Sequence, residues 1–226
     1  MTLTDTQKST IKQIVNCFET GCPRGNYAAI AMFNDGPHHI KQITYGRSQT
    51  TEYGSLKELI SRYSQAHGKY SDQLSKYVDT IGVEPLTEDP EFIGLLKAAG
   101  KNDPVMQESQ DVFFDQRFLL PALKWAGDHG FTLALSAAVI YDSFIHSGSI
   151  MTSIRNMFSE KIPKDGGDEK KWITAYVNAR DKWLETHENP AVQKTTYRTR
   201  TFIQEINKGN WDLNPPIPIK NGSVVL

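Results

Sequence analysis

E-T-G-C-P-R-G-N-Y-A-A-I-A-M-F-N-D-G-P-H-H-I-K-Q-I-T-Y, residues Glu19 to Tyr45, changes character twice within a short run. It opens at the end of a helical pattern, breaks at Gly21 and Pro23, and continues as two strand-like runs separated by N-D-G-P. One acid, Glu19, closes the helix, and a second, Asp35, sits in the turn. Two carboxyls on different elements, facing each other over a groove, are the minimal equipment of a glycosidase. The plainer alternative is a solvated acid at a helix end and an ordinary turn aspartate.

Upstream, Thr4 to Thr20 reads as a helix. Thr4 with Gln7 makes a capping box, and Ile11, Ile14, Val15 and Phe18 form one apolar stripe. Glu19 follows the last stripe residue, so its carboxyl lies beside the buried face, where a proton donor can be partly withdrawn from water. Downstream, Tyr27–Phe33 and Ile40–Tyr45 read as strands of a small antiparallel sheet with Asp35 at its tip. Gly46 to Gly54 reads as a loop or a third short strand.

The remainder is helical. Helices are expected over Ser55–Gly68, over Phe92–Ala99 with Gly100 as the stop, and from Pro104, capped by Asp103, to a point before Pro121. Pro121 opens a further short helix, and Lys170–His187 and Thr196–Lys208 follow. Phe131–His146 is apolar on nearly every side, which marks a buried helix. Asp142 inside it is conspicuous, because a buried acid needs a cationic or hydrogen-bonding partner. The tail Gly209–Ile219 reads as irregular and proline-stiffened, lying over a surface.

The 226 residues suffice for one domain of two lobes. Here the sheet-bearing lobe is expected over about 25–100 and the helical lobe over 1–24 and 101–226. The formal net charge is −1, from 25 basic and 26 acidic residues, and there is no basic stripe for nucleic acid. No run approaches a membrane span. The polar N-terminus lacks a signal-peptide core, so action outside the cytoplasm would require an export route not written here. Cys17 and Cys22 flank Glu19 and could pair, though two cysteines do not fix the redox compartment. Neither has a histidine at zinc spacing, and His38-His39 is an isolated pair, so no metal and no cofactor is expected. A monomer is expected.

Three stretches carry a resemblance. G-N-W-D-L-N-P-P-I (Gly209–Ile217), Y-D-S-F-I-H-S-G (Tyr141–Gly148) and G-G-D-E (Gly166–Glu169) with Asn178-Ala179-Arg180 resemble, in order and spacing, the chitosanases of glycoside hydrolase family 46. That resemblance implies a mainly α (α+β), lysozyme-like, two-lobed fold with a small antiparallel sheet beside the cleft. It implies inverting cleavage of β-1,4 glycosidic bonds, with Glu19 as acid and Asp35 as base. A charge network supporting the acid would comprise Asp142, Arg180 and either Arg198 or Arg200. Arg200 is preferred, because its R-T-F matches the family's arginine-to-phenylalanine spacing.

The chain also departs from the family. After the turn aspartate the family commonly has D-G-R-G-Y-T; here Asp35 is followed by Gly36-Pro37-His38-His39-Ile40. The threonine that would hold the attacking water falls near Ile40, which cannot do so. Thr44, Thr50 or Thr51 could substitute, and Tyr45 and His146 are further candidates for substrate contact. Glu52 is the nearest match to the family's substrate-gripping acid. Three functions follow: an endo-acting chitosanase, a peptidoglycan muramidase on the same scaffold, or a non-catalytic sugar-binding relative.

Overall fold

α1, Asp5–Thr20, starts on the expected capping box: the Thr4 hydroxyl accepts from the Gln7 N–H, and the Gln7 side chain accepts from the Thr4 N–H. It ends at Gly21, whose φ of 71° is the left-handed cap that favours glycine. The computed structural model describes residues 1–47, 50–222 and 224–226. Its chain divides into two compact units, Gly25–Asp115 and Met1–Arg24 with Gln116–Leu226.

The Gly25–Asp115 unit carries a three-stranded antiparallel sheet, β1 Ile30–Phe33, β2 Gln42–Tyr45 and β3 Thr50–Thr51. Ile30 pairs with Tyr45 and Phe33 with Gln42, and Thr44 pairs with Thr51. Of the expected loop or third strand, residues 48–49 lie outside the described residues. Every residue of β2 is buried. Ile43 and Tyr45 are apolar core, and the alternate residues Gln42 and Thr44 are covered as well.

Helices α2 Leu56–Gln65, α3 Ser71–Leu74, α4 Pro90–Asn102 and α5 Pro104–Phe114 complete this unit. Gly100 does not stop α4, contrary to the sequence expectation. A Cβ there would stand 2.2 Å from the Tyr27 carbonyl oxygen and 2.8 Å from the Tyr45 hydroxyl. The glycine therefore serves close approach within the helix. The unit also runs past the expected boundary near residue 100. α5 packs on α2 and α4, and its buried Gln110 donates to the Tyr27 carbonyl and accepts from the Arg47 N–H.

The other unit is built on α7, Ala134–Ser147, in which every residue from Ala134 to Ser143 is buried. Around it lie α1, α6 Leu120–Asp128, α8 Thr152–Arg155, α9 Glu169–Glu185, α10 Pro190–Gln193 and α11 Tyr197–Asn207. A π-helical turn, Asp115–Leu119, leads from α5 into α6. Trp172 stacks on Tyr176, with Phe131 and Phe158 edge-on to it.

A buried helix start leaves N–H groups that need acceptors. For α7 the Glu169 carboxylate takes the N–H of Thr132 and Leu133, and the Trp211 carbonyl takes that of Leu135. Asp168 caps α9 through the Lys171 N–H at 2.8 Å. Gly167 passes so close to the Lys161 carbonyl that any Cβ would overlap it. The G-G-D-E run and the tail thus both secure the helix that carries Asp142. The tail is also less irregular than its prolines suggest. Ile217–Pro218 (β4) pairs with Val224–Val225 (β5), and Asn210 is hydrogen-bonded to the buried Glu205 and to the Asn214 backbone.

Candidate active site

Glu19 lies in the last turn of α1, half-buried. The carbonyls of that turn are tied down from elsewhere in the same unit. Phe18 O accepts from the Tyr197 hydroxyl at 2.8 Å, and Cys17 O accepts from the Asn221 amide at 2.7 Å. The Glu19 carboxylate meets Arg198 directly. Arg198 also donates to Asp142 Oδ1 at 2.5 Å, and Arg180 donates to Asp142 Oδ2 at 2.6 Å. Two guanidiniums therefore face two carboxyls, supplied by α1, α7, α9 and α11.

Asp142 is 0% exposed, Arg180 1% and Arg198 4%, so each charge needs the others. Burial alone would push the Asp142 carboxyl up, but Arg198 and Arg180 outweigh it and hold it below the usual carboxylate range. Arg198 is held charged in the same way. Desolvation opposes its charge, Asp142 and Glu19 favour it, and its pKa is raised. His146, one turn after Asp142, is pushed down to about 4 by burial and then by the two guanidiniums, so its imidazole is neutral at neutral pH.

The preference for Arg200 is corrected by this geometry. Arg200 is exposed and pairs with Glu185, with Asp181 at 3.8 Å. Residues two apart on a helix point to different sides. α11 turns Arg198 toward Asp142 and Arg200 toward α9's carboxylates.

Asp35 follows β1 in the other unit and is exposed. Its Oδ1 accepts from the Gln42 side-chain amide at 2.9 Å, and the Gln42 Oε1 accepts from the Tyr53 N–H at 3.1 Å. Beyond Asp35 the loop closes through Gly36 N–H to Ile40 O at 3.0 Å. His38 and His39 both adopt positive φ, 55° and 62°, which costs a non-glycine residue energy. The family pattern quoted above has glycine at the position of His38.

Four of the expected substrate or water residues are buried. Glu52 is 1% exposed. Its two oxygens accept from the backbone N–H groups of Ile43 and Leu86, at 2.9 and 2.7 Å, so it joins β2 to the segment before α4. Tyr45 is fully buried and donates to the Leu96 carbonyl at 2.8 Å. The Thr50 hydroxyl, also buried, donates to the Tyr45 carbonyl at 2.7 Å. Thr44 is buried in the sheet, and its hydroxyl has no hydrogen-bond partner among the described residues. Thr51 is half-buried in β3. The polar side chain bonded to Asp35 is Gln42, which is not among the residues expected from sequence. Its only sequence signal was a polar residue inside a strand.

A conserved-family model described as Glycosyl hydrolase family 46 matches residues 13–217. The chain is 28% identical over 236 residues to a chitosanase of Bacillus subtilis strain 168, covering 95% of this chain and 82% of that one. Among solved structures it is similar to the native chitosanase of Bacillus subtilis MY002, with a TM-score of 0.81 at 23% identity and full coverage of both chains. It is also similar to a Gynuella sunshinyii chitosanase in complex with chitotetraose, with a TM-score of 0.79 at 24% identity, covering 99% and 98% of the two chains. The fold is mainly helical and lysozyme-like, with a small antiparallel sheet, and the class of protein is a glycoside hydrolase. The chain belongs to glycosyl hydrolase family 46.

Proposed function

We propose that this protein is an endo-acting chitosanase that hydrolyses β-1,4 bonds of chitosan with inversion. Glu19 gives its proton to the leaving glycosidic oxygen as the bond to the anomeric carbon breaks. Asp35 takes a proton from the water whose oxygen forms the new bond on the opposite face. An inverting pair of this kind holds its carboxyls roughly 6.5–9.5 Å apart to admit that water. After turnover Glu19 is ionised and Asp35 protonated, and exchange with solvent resets both.

The observation that carries this reading is Glu19 at the end of α1 with its carboxyl on the buried Arg198–Asp142–Arg180 network. The relatives reported above are chitosanases, one of them solved with chitotetraose, which supports chitosan as the substrate class. A polymer of this size is met outside the cytoplasm, so we place the site of action there. Among the described residues no helix is long and apolar enough to cross a membrane.

The test is product analysis on chitosan and on purified cell wall, side by side. Short glucosamine oligomers, released first as the inverted anomer and without clearing of cell wall, are expected. Cell-wall clearing with intact chitosan would replace the substrate by peptidoglycan, and binding of chitosan without turnover would make the protein a sugar-binding relative.

A further inference from the structure

The loop after Asp35 has lost the hydroxyl that the family pattern supplies, since Ile40 stands there. Thr44 and Thr50 are buried, and Thr50 already donates to a backbone carbonyl. Gln42 is as buried as Thr44, but its side chain reaches Asp35 and is fixed from two sides. Its backbone lies in the β1–β2 ladder opposite Phe33, two residues before Asp35. Its amide oxygen is claimed by the Tyr53 N–H. A backbone N–H can only donate, so the oxygen end must face Tyr53 and the NH2 end must face Asp35.

We propose that Gln42 is the positioning residue for the catalytic base: its amide, locked by the Tyr53 N–H, fixes the Asp35 carboxylate plane so that Oδ2 receives the water's proton. This rests on the reading of Asp35 as the base. The bond occupies Oδ1 and leaves Oδ2 as the oxygen that takes the water's proton. Gln42 bonds to Asp35, so it acts through the base.

Gln42→Ala and Gln42→Glu, assayed on chitosan, test this. In Gln42→Ala, kcat should fall roughly ten- to a hundredfold with KM little changed, the effect of losing a hydrogen bond to a charged group. Gln42→Glu keeps an oxygen for Tyr53 and sets a second carboxyl against Asp35. The acid limb of its pH–rate profile should move to higher pH by at least about one unit, because two adjacent carboxyls resist full ionisation. A role in holding the sheet alone would not move that limb.

A readout independent of turnover is the Gln42 side-chain amide signal of the wild-type chain in 1H–15N spectra. It should shift with pH as Asp35 titrates, and that shift should vanish in Asp35→Asn. A pH-independent Gln42 amide overturns the proposal even if neither variant folds, as does a wild-type acid limb in Gln42→Glu. Asp35→Asn separates the two ideas: inactivity in that variant beside a normal acid limb in Gln42→Glu removes Gln42 and leaves the base assignment standing. A fully active Asp35→Asn removes the base itself.

Discussion

The two carboxyls of the proposed pair are held in opposite ways. Glu19 is anchored in a fully charged, buried network to which four helices contribute. Asp35 is exposed in a turn and is held by one neutral amide. On the acid side, orientation and stability share the same atoms, because removing a member strands a buried charge. On the base side, orientation comes from a side chain already fixed in the sheet, and the carboxylate itself is in water. Substitution of Asp35 itself should therefore touch activity alone, whereas substitutions at Glu19 and its network should touch activity and folding together.

The largest expected effects are on turnover. Glu19→Gln should lower kcat on chitosan by roughly 10²–10⁴-fold, the range for a lost general acid, and should lower the melting temperature as well. Asp35→Asn should lose a similar factor with the melting curve unmoved. A base-side variant that melts as early as the acid-side one would break the contrast. Asp142→Ala should cost about 3–5 kcal/mol in denaturant unfolding, because it leaves two buried guanidiniums with one carboxyl between them. The two arginines of α11 sharpen the point. Arg198→Ala should destabilise on that scale, while exposed Arg200→Ala should change stability by less than about 1 kcal/mol.

Smaller effects follow from His146 and His38. A histidine pushed down to about 4 stays neutral in the folded chain while the unfolded chain binds a proton near pH 6.5. Its burden is therefore absent above about pH 6.5 and grows as pH falls toward 4. The depressed Asp142 works in the same direction at lower pH: its contribution is present above the unfolded carboxylate value and is lost as pH falls below it. His146→Gln should recover up to roughly 2 kcal/mol near pH 4.5, allowing for partial exposure, and nothing at pH 8, as read from chemical unfolding at both. His38→Gly, at φ 55°, should be the mildest change. It should raise stability by at most about 1 kcal/mol, as relief of left-handed strain is offset by glycine's greater chain entropy.

Much of the acid side could be read from the chain alone. The capping box of Thr4 and Gln7, the stripe ending at Phe18 and the all-apolar helix around Asp142 are local patterns, and local patterns fix helices and their buried faces. Asp142 announced a partner because a charge in such a helix cannot stand alone. The base side was less legible. The turn at Asp35 was plain, but Glu52, Thr50 and Tyr45, read as candidates for substrate or water contact, proved to be buried and hydrogen-bonded in or beside the sheet.

Sequence by itself therefore determined the capped start and glycine stop of α1, which helix is central, and that Glu19 and Asp35 sit at the ends of different elements. Only the tertiary structure decided between Arg198 and Arg200, since both lie on one helix and the packing of α11 sets which side faces Asp142. It also decided that Gln42 holds Asp35. Strand alternation puts Gln42 and Thr44 on a common face, but whether that face is covered depends on distant segments folding over it. Periodicity is a property of neighbouring residues, and burial is a property of the whole chain.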